Sequence, residues 1–180
     1  MKIVIGFDPG KNNFGISVVR FNRRHQPKII KSFMLNEAIK SLLHGDFNQA
    51  CLLFREAVRQ LFKQFRPWRI IVERFLTRFR GFGNTGELIG VMIGIIWELA
   101  RQYKIQILLT TAASWKNQFR RDTQLELKNI YKINKIIPIH CQDASLIALY
   151  GYSKVATYQQ LNLTKFFRRE CRRWLMAKQK

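Results

Sequence analysis

The run KIVIGF, Lys2 to Phe7, stops on an acid, Asp8, and then on Pro9 and Gly10. Its length and its β-branched, apolar composition suit a buried strand. Pro-Gly forces a turn, Lys11 to Asn13 add polar turn residues, and FGISVVRF, Phe14 to Phe21, resumes strand composition. The segment therefore predicts a β-hairpin with a carboxylate at its mouth, where the core ends. An acid before Pro-Gly is also ordinary turn chemistry. Whether Asp8 does more depends on what the rest of the chain brings to it.

Charge narrows the choice of partner. The 180 residues hold 32 Lys and Arg against 11 Asp and Glu, a net charge of +21, which favours a polyanion and nucleic acid first. A membrane surface is the rival polyanion. The longest apolar run, Leu88 to Trp97, is too short to span a bilayer and ends at Glu98, and no lipidation motif is present, so no membrane partner is expected. With 47% hydrophobic residues and no linker or repeat, residues 1–180 read as one domain with a core of its own. A strand beginning at residue 2 leaves no visible signal or transit peptide, which predicts a cytoplasmic or nucleoid-associated protein. Cys51, Cys141 and Cys171 lack metal-ligand spacing and read as free thiols in a reducing compartment.

Further along, Lys28 to Leu35 predicts a third strand and an antiparallel meander. Asp46 is placed to cap a helix running to about Phe65, with Cys51, Phe54, Val58, Leu61 and Phe65 at helical spacing. Pro67 ends it. WRIIV, Trp68 to Val72, is a short strand that, like the first, ends at an acid, Glu73. Arg74 to Asn84, RFLTRFRGFGN, follows as a loop in which Arg74, Arg78 and Arg80 would meet phosphates while Phe75, Phe79 and Phe82 stack on unpaired bases; Lys11 adds a cation beside Asp8. The alternative is a solvated basic loop whose phenylalanines fold back onto the core.

Gly86 to Tyr103 reads as a long apolar helix with Gly86, Gly90 and Gly94 on one face. Each glycine costs roughly 1 kcal/mol against alanine, so close packing is expected there, by the sheet or by a second subunit. Ile105 to Leu109 is the next strand, and TTAASWKNQF, Thr110 to Phe119, a turn and short helix. Strands alternating with helices from Trp68 on imply parallel crossovers, so the predicted fold is α/β with a mixed five-stranded sheet, three antiparallel strands and then parallel ones, flanked by helices. Arg120 to Lys135 is polar and reads as helical. Pro138 precedes a helix whose first turn carries His140 and Asp143, three apart and on one face. The tail, about 157–180, reads as a basic amphipathic helix that either lies on phosphates or solubilises a packed Trp174.

Asp8, Glu73 and Asp143 thus end apolar elements in a chain with few acids. Gathering like charges at a core edge is unfavourable unless a cation joins them. Hard divalent ions take oxygen ligands, and a pair of Mg²⁺ ions, with Mn²⁺ as a substitute, would activate water and stabilise the leaving oxygen in phosphodiester hydrolysis. His140 would ligate or relay a proton; it also fits a capping or hydrogen-bonding role. No small-molecule cofactor is expected.

These motifs resemble a known family. Asp8 in GFDPGKNNFGISVV, Glu73 in IIVERF, the helix GELIGVMIG, and His140 with Asp143 in HCQDASLIAL resemble, in the same order, the RuvC-type Holliday junction resolvases of the RNase H-like superfamily. The resemblance implies metal-dependent nicking of four-way DNA junctions by a homodimer, leaving 5′-phosphate ends. It makes Asp8, Glu73, His140 and Asp143 catalytic and metal-binding, Lys116 the basic residue near the site, and Phe75 or Phe79 the aromatic at the crossover. His140 stands where many members carry an acid, and TTAASWK lacks the family's usual proline. Small size and divergence suggest a phage, viral or organellar version. The alternatives are another RNase H-like nuclease, acting on RNA:DNA hybrids or branched DNA, and a catalytically silent nucleic-acid-binding module.

Overall fold

A computed structural model describes residues 1–10, 13–74, 83–119, 124 and 137–156. The hairpin forms as β1 (Lys2–Pro9) and β2 (Phe14–Phe21), and β3 (Pro27–Met34) completes the antiparallel meander. Two helices follow, α1 (Asn36–Leu43) and α2 (Phe47–Phe65). Asp46 caps α2 by accepting a hydrogen bond from the Gln49 N–H at 2.9 Å. Then come β4 (Arg69–Glu73), α3 (Gly83–Gln102), β5 (Gln106–Thr110), α4 (Ala112–Gln118) and α5 (Ile139–Ala156).

The strand order is β3-β2-β1-β4-β5, with β4 parallel to β1 and β5 parallel to β4. This is the mixed sheet that the alternation of elements predicts. Two-residue periodicity divides the side chains between two cores. Ile5, Phe7, Ile16, Val18, Ile70 and Val72 face α1, α2 and α3, whereas Val4, Val19 and Ile71 face α4 and α5. Both faces are covered, as a sheet with central parallel strands requires.

Helix α1 was not expected. It is two turns long, too short to form alone, and is held because Ala38 and Ile39 enter the first core beside α2. The apolar stripe of α2 is centred one position away from the predicted one: Ala50, Phe54, Val58, Leu61 and Phe62 are buried, while Cys51 and Phe65 lie at its margin. Within the described chain nothing lies within 4 Å of a Cβ built at Gly90 or Gly94, so the sheet is not what these glycines pack against. Residues 120–123, 125–136 and 157–180, with the predicted polar helix and basic tail, lie outside the described residues, as does Cys171. No described helix is long and apolar enough to cross a membrane.

Candidate active site

Strand register brings the first two acids together. Phe7 is paired with Val72 across the parallel β1–β4 ladder, and Asp8 and Glu73 are the next residue on each strand. Both side chains therefore leave the sheet on the face opposite Phe7 and Val72, the face covered by α4 and α5. They stand side by side at the carboxyl ends of neighbouring parallel strands, the position where open α/β sheets form sites.

Helix α5 seats closely over them because two sheet positions beneath it, Gly6 and Gly15, carry no side chain. A Cβ at Gly6 would overlap the Ala144 carbonyl, and one at Gly15 the His140 carbonyl. Ser145 Oγ donates to the Cys141 carbonyl at 2.9 Å and lies in hydrogen-bond contact with Ser17 Oγ at 2.8 Å, satisfying the buried hydroxyls of this contact. The first turn of α5 is thereby set against the hairpin mouth, and His140 Nδ1 lies 2.7 Å from Asp8 Oδ2. Asp143, one turn on, is close enough for its charge to act on both Asp8 and Glu73.

Helix α4 supplies the other wall. Thr111 caps it, accepting from the Ser114 N–H at 3.1 Å, and its fully buried Trp115 donates Nε1–H to Glu73 Oε2 at 2.5 Å. Lys116, exposed, carries its ammonium 5.0 Å from the Trp115 ring centroid and acts electrostatically on both carboxylates.

The electrostatics record the strain of this gathering. Burial pushes the Asp8 carboxyl, 8% exposed, above its ordinary value; the His140 hydrogen bond and charge oppose this, and the Asp143 charge adds to it. Burial also raises Glu73, opposed by the Trp115 hydrogen bond and reinforced by the charges of Asp8 and Asp143. Buried, mutually repelling carboxylates suit a hard divalent cation. Among the described residues no three His, Cys, Asp or Glu side chains form a ready-made ligand set, and Asp8 Oδ2 faces His140 Nδ1; a cation here would rest on one or two of the carboxylates, with water and phosphate completing its shell.

Of the residues singled out from the sequence, Asp8, Glu73, His140, Asp143 and Lys116 thus share one neighbourhood. Arg74 follows Glu73, is exposed, and donates its backbone N–H to the Thr110 carbonyl at 2.7 Å. Lys11, Phe75, Arg78, Phe79, Arg80 and Phe82 lie outside the described residues. Trp115 escaped sequence reasoning, because only the β4–β5 register, which pairs Glu73 with Thr110, brings α4 beneath Glu73.

No protein-family model matches the chain, and no curated protein matches it in sequence. Solved structures do. RuvC of T. thermophilus, in complex with a Holliday junction substrate, superposes with a TM-score of 0.71 over 86% of this chain and 97% of that one, at 18% identity. The chain has the RuvC fold. The yeast mitochondrial Holliday junction resolvase follows at a TM-score of 0.57, 16% identity, 95% of this chain and 85% of its own. The fowlpox virus resolvase, with its Holliday junction DNA, gives 0.52 and 12% identity, over 88% of this chain and 99% of its own. At such identities the shared property is the RuvC fold, and the chemistry has to be argued from the side chains.

The Trp115 N–H favours the charged form of Glu73, so Trp115→Phe should raise the Glu73 pKa further. If Glu73 must be ionised to work, the acid limb of the pH–rate profile moves to higher pH and the rate near pH 7 falls about tenfold, the usual cost of losing a supporting hydrogen bond. An unshifted profile would remove Glu73 from the chemistry.

Proposed function

We propose that this chain is a structure-selective endonuclease that resolves four-way DNA junctions by symmetric nicking, leaving 5′-phosphate ends. The observation that carries the reading is the placing of Asp8 and Glu73 side by side, one residue beyond the last pair of the β1–β4 ladder and beneath His140 and Asp143, in a fold whose solved neighbours include resolvases with junction DNA.

Asp8, Glu73 and Asp143 would hold divalent cations, Mg²⁺ or in its place Mn²⁺, with His140 as a further ligand or proton relay. Bound there, such ions supply an activated water and stabilise the leaving oxygen. The chain's own groups prepare the place. Trp115 orients the Glu73 carboxylate and favours its charged form against the burial that opposes it. Lys116 adds positive charge where a scissile phosphate would approach the carboxylates. His140, hydrogen-bonded to Asp8, is positioned to take or return a proton at Nδ1 when it leaves that carboxylate. Arg74, Arg78, Arg80 and Lys11 would grip phosphates and Phe75, Phe79 and Phe82 contact unstacked bases, since the segment leads directly out of Glu73.

A junction with two equivalent strands asks for two equivalent sites, which supports a homodimer. Helix α3 offers the interface: Glu87, Gly90, Val91 and Gly94 are exposed along one stripe, and Trp97, 49% exposed, extends it. Gly94→Arg should leave the monomer fold intact, because nothing in the described chain occupies that space. It should nevertheless shift sedimentation from dimer to monomer and uncouple the two nicks.

The test is cleavage of an immobile four-way junction beside matched duplex, flap and RNA:DNA hybrid, in Mg²⁺ or EDTA. Paired symmetric nicks in the junction alone, lost in EDTA, are expected. Better cutting of hybrid or flap would assign the site to another RNase H-like nuclease; no cutting in Mg²⁺ or Mn²⁺ would leave a DNA-binding module.

A further inference from the structure

A second cationic site lies at the opposite pole of the sheet. The end of α2, the turn into β4 and the turn from α3 to β5 enclose a cleft of about 550 Å³ walled by Lys63, Arg66, Trp68, Tyr103 and Lys104. That volume suits a small organic ligand. The Trp68 N–H donates to the Ile3 carbonyl at 2.8 Å. Ile3 precedes Asp8 by five residues on β1, so the cleft is separated from Asp8 by roughly 16 Å at the usual rise per strand residue.

Charge, backbone and rings in the cleft agree. Its lining holds three cations and no acid, and among the described residues none of the three forms an ion pair. Lys2 and Arg69 stand 4.0 and 4.8 Å from the Trp68 ring centroid and add to the field, and the buried Arg69 Nε–H has no acceptor. Arg66 and Lys104 have φ of 43° and 54°, in the left-handed region that favours glycine. Helix carboxyl ends attract cations, which accounts for a positive charge there. It does not account for two long cationic side chains held where glycine is the less costly residue. Tyr103 and Trp68, edge-on to Phe62 and Tyr152 respectively, supply rigid aromatic walls beside those cations.

We propose that this cleft binds a nucleoside phosphate, its phosphate held by Arg66, Lys104 and Lys63 and its base against Tyr103 and Trp68. The ligand is either part of a nucleic-acid strand or a free nucleotide. The inference does not rest on cleavage at Asp8, and its test is run in EDTA so that the two fail separately.

Binding of fluorescein-labelled dT12, of dTMP and of inorganic phosphate is measured for the wild type and for Arg66→Gly with Lys104→Gly. Glycine suits both backbone positions, so the variant should fold with an undiminished melting temperature. The dT12 affinity should fall about tenfold, and the slope of log K against log salt by about 1.4, the share of two phosphate contacts on a single strand. Lys28→Gln with Lys31→Gln removes the same charge from β3 and should change affinity less than about twofold. Tyr103→Leu, keeping both cations, should weaken dT12 several-fold by loss of stacking. Binding of dTMP by the wild type alone would identify a free nucleotide as the ligand; binding of dT12 alone would identify a strand. Equal binding of all probes by wild type and the glycine variant, or an equal loss in the β3 control, overturns the proposal.

Discussion

Asp8→Asn should lower junction cleavage by at least about 10³-fold, as removal of a central catalytic group does, while leaving junction affinity within about twofold. In EDTA at neutral pH it should also melt higher than the wild type. Asparagine keeps the shape of Asp8 and a partner for His140 Nδ1, and removes a charge that burial and Asp143 both oppose. A raised carboxyl pKa means that the folded chain holds this proton more tightly than the unfolded chain does. The charge therefore costs no stability below the ordinary carboxylate pKa, and its cost grows as pH rises through the raised value. The gap in Tm between variant and wild type should accordingly widen from acid to neutral pH, by roughly 2–4 °C for each kcal/mol relieved. Mg²⁺ should reverse the order: at a concentration of about 100 Kd it adds about 2.7 kcal/mol to the wild type alone. A variant that melts lower in EDTA, or a wild type indifferent to Mg²⁺, would show that Asp8 serves the hairpin turn and not a cation.

What could be read from the sequence was local. Asp8 and Glu73 each end a short apolar run, and such runs end where strands leave the core, so both positions were visible without the topology. Asp46 announced α2 by the chemistry of its cap. What escaped depends on contacts far apart in the chain. Helix α1 has two turns and little local signal, and exists because of the core it enters. Trp115 looked like an ordinary residue of a short helix, and its bond to Glu73 follows from a register no linear pattern encodes. His140 could be singled out from the sequence, but its contact with Asp8 follows from the seating of α5. The glycines divide the same way. Spacing drew attention to Gly90 and Gly94, whose surroundings are open among the described residues, whereas close approaches to another element's backbone occur at Gly6 and Gly15, inside strands that showed no glycine pattern.

Gly15 is therefore where the second large effect is expected. It pairs with Asp8 across the hairpin and lies under the first turn of α5, so a single methyl there must push against the His140 backbone, which has no flexible tip to yield. Gly15→Ala should shift that turn by a fraction of an ångström to an ångström, carrying His140 and Asp143 with it. Overpacking of this kind costs about 1–3 kcal/mol, so Tm should fall by several degrees with the sheet retained. A displacement near 1 Å among reacting groups costs roughly 10²-fold in rate, so cleavage should drop far more than stability. Gly6→Ala gives the contrast. Its methyl would meet Ala144 and Ala148, in the middle of the α5 contact, and should destabilise the whole helix, losing fold and activity together. If Gly15→Ala instead cuts junctions at the wild-type rate, the first turn of α5 is not what sets the chemistry, and His140 and Asp143 leave the proposed site with it.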